Sequence, residues 1–197
     1  HYFQVKFILP LVLSFCISAA HAQPDAGIEY SANGSFDWSM FKGKINNRDI
    51  AEMGKNVGAV TVSALSYETL GQVGHQISLK ISALFMPYTS WTRYPKLYHP
   101  AEALNHEKRH FDICEIYARL FRKHLMESHF RQSNFRNDLA ALFKKYITEY
   151  RAMQTRYDRE TRHSLDAYQQ EKWNAKIDAT LKALDGYADN VITVSLN

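Results

Sequence analysis

Cysteine is scarce in this chain: two residues, Cys16 and Cys114, among 197. Two thiols are too few for a disulfide scaffold. Glycine and proline are also few, at 8 and 5, which excludes a collagen-like repeat. A hydrophobic fraction of 46% with a charged fraction of 22% is ordinary for soluble globular proteins and excludes a wholly disordered chain. No apolar run reaches the roughly 20 residues that a membrane span takes, so a polytopic membrane protein is excluded. The excess charge is small. Lys and Arg number 24 against 20 Asp and Glu, giving +4, and they are spread along the sequence. Phosphate tracking needs a concentrated basic face, so nucleic acid is not expected as a partner.

Residues 5–20, VKFILPLVLSFCISAA, hold one lysine and then an almost unbroken apolar run, and Ala20-His21-Ala22 precede Gln23. A basic flank, about a dozen apolar residues and an A-x-A site mark a secretory signal peptide. The expectation is a signal peptide at 1–22 and a single domain at 23–197. The mature protein would be secreted or periplasmic, with no stable membrane anchor after cleavage. A lipoprotein signal at Cys16 is the rival, although Phe15 is bulky for such a site. After cleavage Cys114 would stand alone, and a lone thiol cannot staple its own chain.

The remainder divides by texture. Val60-Thr61-Val62-Ser63-Ala64-Leu65 and Ile77-Ser78-Leu79-Lys80-Ile81-Ser82 alternate apolar with polar. Period-two alternation predicts half-buried strands, here at 27–31, 58–69 and 75–86, with Gly71 to Gly74 as the hairpin connection. Phe36 to Gly43 reads as a short helical turn. From Pro100, the last proline and one suited to a helix's first turn, the apolar spacing becomes three and four. It predicts helices at 101–128 (Phe111, Cys114, Ala118, Phe121, Leu125), 136–156 (Leu139, Phe143, Tyr146, Tyr150) and 159–185 (Leu165, Tyr168, Trp173, Ile177). Val191 to Val194 is a candidate final strand. The simplest account is one α+β domain, a small and mostly antiparallel sheet followed by three long helices.

The sharpest feature lies in the first long helix: His106-Glu107-Lys108-Arg109-His110, an H-E-x-x-H run. Residues four apart stack on a helix, so both imidazoles can meet one metal ion. Glu107, one position round, can reach a water on that metal. Zinc with three protein ligands keeps a fourth position for water and lowers its pKa to about 7. The glutamate can then take the proton and pass it to the leaving amine. The run therefore points to one zinc (Zn2+) per chain and to peptide-bond hydrolysis with Glu107 as general base. The plain alternative is a solvent-facing helix that happens to hold two histidines.

A catalytic zinc needs a third ligand. At about 100° per residue, Asp112 and Glu115 point away from the His106/His110 face, while Cys114 and His124 lie too far along the axis. The ligand should come from another element. Tyr157-Asp158-Arg159-Glu160-Thr161-Arg162-His163, at the predicted start of the third helix, is the best stretch. His163 is the first candidate and Glu160 the second, against an exposed helix-start histidine. Asp112 and Asp158 are candidates for the carboxylate that orients a zinc-bound histidine. Asp158 and Thr161 equally suit helix caps. Tyr157 could stabilise an oxyanion or simply pack.

These stretches resemble the bacterial predicted secreted zinc-dependent proteases, the family known as domain of unknown function 922. His106 to Ile113, followed by Glu115-Ile116-Tyr117-Ala118-Arg119, is similar to that family's HExxHFDI-x-E-x-x-AR helix. Tyr157 to His163 is similar to its Y-D-x-x-T-x-H segment, with Gln169, Gln170 and Trp173 following. Trp38 to Gly43 resembles an early W-x-x-F-x-G segment, and Ser90-Trp91 an S-W pair before the metal helix. Ser164 departs from the glycine expected after the histidine. The resemblance implies a zincin-like fold, a single catalytic zinc, endopeptidase-type hydrolysis and His163 as a ligand.

The expected function is a secreted or periplasmic zinc metallopeptidase acting on a peptide or protein substrate. Such enzymes take up substrate as an added strand along a sheet edge, and the strand at 75–86 is the candidate edge; an internal strand without that role is the alternative. Two other functions fit the same residues. One is a non-catalytic envelope binding protein with a structural or vestigial zinc site. The other is a zinc hydrolase of non-peptide amides. The sequence carries no sign of the oligomeric state.

Overall fold

A computed structural model describes residues 27–45, 47, 50–51, 57–94 and 100–197. The expected signal peptide at 1–22 lies outside the described residues. Alternation is followed most fully in β4 (Gln76–Phe85), where Ile77, Leu79, Ile81, Ala83 and Phe85 are all buried. Each large apolar side chain so buried stabilises by roughly 1.5–3 kcal/mol. Strand β3 (Ser63–Val73) runs antiparallel along one side of β4. On the other side β1 (Ile28–Glu29) pairs with the end of β4, and β6 (Val191–Ser195) pairs with its start.

The segment 75–86 is therefore an internal strand, not the free edge anticipated for a substrate. Its backbone groups are claimed from both sides. Among the described residues, β3 is the long strand whose outer side has no strand partner.

Two further boundaries differ from expectation. The stretch 58–69 is two strands. β2 (Ala59–Val60) pairs with β5 (Trp91–Thr92) in a separate small sheet, and β3 starts at Ser63. The hairpin turn falls at Gly74-His75, where Gly74 has φ 57, a left-handed conformation open to glycine. Gly71 instead marks a bulge, with the register slipping between Thr69 and Gly71.

Three helices follow: α1 (Ala101–Glu127), α2 (Phe135–Thr161) and α3 (Ala167–Ala183). Helix α1 is the centre of the molecule, packed on the sheet and on both other helices, so Phe111, Cys114, Ala118, Phe121 and Leu125 are all buried. The helix expected at 159–185 begins instead at Ala167. Helix α2 runs on to Thr161, and Arg162, His163 and Ser164 turn the chain with φ 51, 53 and 69. Asp166 then caps α3, its carboxylate accepting from the Gln169 N–H at 3.0 Å. Leu165 and Tyr168, expected in the core, flank this turn and are exposed.

The early turn, a 3-10 helix at Trp38–Met40, leads into contact with Ser90-Trp91. Gly43 donates its N–H to the Ser90 carbonyl at 2.8 Å. A β-carbon on Gly43 would stand 2.6 Å from that oxygen, so glycine alone allows the approach. Ser90 and Trp91 are wholly buried and seat β5 just before α1. Among the described residues no helix is long and apolar enough to cross a membrane.

Candidate metal centre

Helices α1 and α2 bring three donor side chains together. His106 and His110 lie one turn apart on α1 with their Nε2 atoms 3.3 Å apart. From α2, Asp158 sets Oδ1 3.2 Å from His106 Nε2 and 3.0 Å from His110 Nε2. The three atoms fall within 4.8 Å of one another.

The tautomer of each ring is set from behind. Gln154, on α2, donates its amide to the His110 carbonyl at 2.9 Å, which turns its Oε1 to His110 Nδ1. Gln170, on α3, donates to the Tyr157 hydroxyl at 2.7 Å and to Asn174 Oδ1 at 2.9 Å. Its Oε1 is left 3.0 Å from His106 Nδ1. An amide oxygen only accepts, so both Nδ1 atoms carry hydrogen, and each ring, when neutral, presents an Nε2 lone pair. Two lone pairs and a carboxylate oxygen then converge with no donor among them. Acceptors this close repel unless a cation lies between them.

A proton can be that cation. Burial works against a charged His110, but the Asp158 charge and hydrogen bond, with Glu107 and Gln154 adding, outweigh it and lift its pKa to about 9. Burial likewise works against the Asp158 carboxylate, yet the two imidazoles hold it well below the usual range. A divalent metal fits the same atoms: two imidazoles oriented through their other nitrogen and one carboxylate form a set suited to zinc.

Glu107 is 6% exposed, and its Oε2 has no hydrogen-bond partner among the described residues. Its charge is felt by both His110 and Tyr157. A buried acceptor without a donor calls for an explanation.

The other sequence candidates stand around this cluster. His163, half exposed on the turn after α2, has Nδ1 3.5 Å from the same Asp158 oxygen, so it borders the centre from the solvent side. Glu160 is engaged elsewhere, paired with Arg156 at 2.7 Å and accepting from Trp173 Nε1 at 3.0 Å. Tyr157 is wholly buried beneath the imidazoles, stacked on His106 with centroids 4.7 Å apart and edge-on to His110 at 4.9 Å. Its hydroxyl donates to the His106 carbonyl at 3.2 Å, and burial pushes its pKa well up. Asp112 is buried against Lys108, Arg109 and the Tyr30 hydroxyl. The groups that orient the imidazoles are two amides rather than Asp112. Thr161 donates to the Tyr157 carbonyl within α2 and caps nothing in α3.

Asp158 joins the two imidazoles because Tyr157 to Thr161 end one helix instead of starting the next. Gln154 has no sequence signal beyond its spacing of four from Asp158, which puts both on one helix face.

Residues 89–164 match the family model described as bacterial protein of unknown function (DUF922). The matched stretch is less than half of the chain, and over it the match bears out the resemblance to domain of unknown function 922 alone. It contains β5, α1 and α2, and with them His106, Glu107, His110, Gln154, Asp158 and His163. No curated protein and no solved structure matches the chain.

Proposed function

We propose that this chain is a zinc-dependent metallopeptidase of zincin-like type, with His106, His110 and Asp158 as the residues that would hold the metal. Bound there, zinc would supply an acidified water and polarise the substrate carbonyl. Glu107 is the general base: its free Oε2 takes the water's proton and delivers it to the leaving amine. Gln154 and Gln170 fix the ring tautomers. Tyr157 keeps both rings seated and excludes water from behind. Asp158 offsets part of the positive charge gathered at the centre. One observation carries the reading: three acceptors converge beside a buried carboxylate oxygen that lacks a partner. The apolar leader supports action outside the cytoplasm, in the periplasm or beyond.

The test is metal analysis together with hydrolysis of an unfolded protein by the wild type and by Glu107→Gln. Both should hold about one zinc per chain, and the variant should lose roughly 10²–10⁴ in rate. Equal rates would end the proposal. A structural zinc in a non-catalytic binding module is the second reading, and His163 favours it. Its ring beside Asp158 could fill the position that a catalytic centre leaves open. Full metal binding with large destabilisation on chelation, and no hydrolysis, would decide for that reading.

A further inference from the structure

The charge that is dispersed in sequence is gathered by α2. Lys144, Arg151, Arg159 and Arg162 are exposed. Lys144, Arg151 and Arg159, with Thr148 and Thr155 between them, recur at steps of three and four, which makes one stripe of the helix; Arg162, in the turn after it, extends the charge. Among the described residues none of the four cations makes an ion pair. The neighbouring row of the same helix behaves differently, with Lys145 paired to Glu149 at 4.0 Å and Arg156 to Glu160 at 2.7 Å. A row of alternating sign is an ordinary solvated face; an all-cationic row beside it has no such account. Both threonine hydroxyls on the stripe donate to carbonyls of their own helix, so they add no charge to it. From Lys144 to Arg159 the stripe is about 22 Å long. It runs from Lys144 towards the His163 turn. Thr155 and Arg159 immediately follow Gln154 and Asp158, so the stripe borders the edge of α2 that enters the metal centre.

We propose that this stripe receives an extended acidic polypeptide segment flanking the bond presented to the centre; that this segment is substrate rests on the metallopeptidase reading. A row one side chain wide suits an extended chain. At about 3.3 Å per residue, some eight residues would cover it, with carboxylates on its facing side, about four residues apart, meeting successive cations. A membrane surface calls for a broader cationic face with apolar side chains entering the lipid. Single-stranded nucleic acid calls for aromatic stacking platforms. The stripe has neither.

The test uses the full chain and two fluorescein-labelled peptides of about eight residues, one alternating Glu and Ala and the other Gln and Ala, read by anisotropy. The Glu peptide should bind at low ionic strength and weaken as salt rises, while the Gln peptide should not bind. Arg151→Gln/Arg159→Gln should weaken binding about tenfold. Lys145→Gln/Arg156→Gln, in the paired row, should change it less than about twofold. Lys144→Gln/Arg162→Gln repeats the test at the start of the stripe and in the turn after it, and thermal melts establish that each variant is folded. Equal losses in stripe and paired-row variants, or no preference for Glu over Gln, would overturn the proposal. So would tighter binding of phosphatidylglycerol vesicles or of a single-stranded oligonucleotide than of the peptide. Binding is read without hydrolysis, so the two ideas fail separately. A chain that holds the Glu peptide but cuts nothing removes the metallopeptidase alone. One that cuts acidic and neutral peptides alike, with no binding preference, removes the stripe alone.

Discussion

Helix α1 carries two buried polar clusters, and they follow opposite rules. In one, Glu115 accepts from Arg119 Nε at 2.8 Å and from Arg122 Nη2 at 3.2 and 3.1 Å. The arginines then donate onward to the carbonyls of Leu181 at 3.0 Å and Ala188 at 2.9 Å, tying α1 to the end of α3 and the segment after it. Donors and acceptors nearly balance, with only Arg122 Nε left over. In the other cluster the Nε2 atoms of His106 and His110 and Oδ1 of Asp158 face one another as acceptors when the rings are neutral, and Glu107 adds one more. A balanced network is completed by folding, whereas a set of acceptors is completed by a cation brought to it. On the proposed reading, the first cluster belongs to the fold and the second to function.

The largest expected effect breaks the balanced side. Arg122→Leu leaves the Glu115 carboxylate buried with half its donors gone, and should cost about 3–5 kcal/mol in urea unfolding. Added zinc should not restore that loss. A change under about 1 kcal/mol would mean that the Glu115 cluster is not holding the fold, and the contrast would dissolve.

Next comes the acceptor side. Zinc at about a hundred times its Kd should stabilise the wild type by roughly 2.7 kcal/mol, seen as a thermal shift that a chelator reverses. His106→Ala/His110→Ala should show no shift, and Arg122→Leu should keep the whole of it, since the two clusters share no partner. A smaller effect sharpens the same point. Gln154→Leu removes the acceptor that sets the His110 tautomer and should weaken zinc binding by about 10–100-fold, measured by competition with a chromogenic chelator. Unchanged affinity would mean that the amide does not orient the ring.

How much of this can be read from residues alone depends on whether one local period suffices. Helical spacing alone puts His106 over His110, and strand alternation alone buries Leu79, Ile81 and Phe85. The break between α2 and α3 escapes that logic, because apolar residues keep a helix-like spacing from Tyr157 through Leu165 and Tyr168 to Trp173. Asp166 with Gln169 three residues on is the only local trace of a new helix start. Missing it moves Asp158 from the last turns of α2 to a supposed helix start, and so from among the clustered donor atoms to behind them. Gln154 and Gln170 are harder still. Their work depends on which faces of α2 and α3 meet α1, and no local pattern reports that.

The smallest effect concerns strain, which the two clusters also do not share. Glu115, Arg119 and Arg122 all sit within a regular helix. The turn beside Asp158 holds Arg162, His163 and Ser164 in succession at φ 51, 53 and 69. That conformation costs a residue with a side chain roughly 1–2 kcal/mol. Glycine at 164 removes the cost there but gives the unfolded chain more freedom, worth about 0.4–1 kcal/mol in the other direction. Ser164→Gly should therefore stabilise by about 0.5–1 kcal/mol in urea unfolding. Glycine is also the residue that the family resemblance leads one to expect there, so serine is the strained choice, kept one residue from His163. A loss of stability in the glycine variant would show that the serine backbone is relaxed in this turn. The metal centre would then differ from the Glu115 cluster in its donors and acceptors alone.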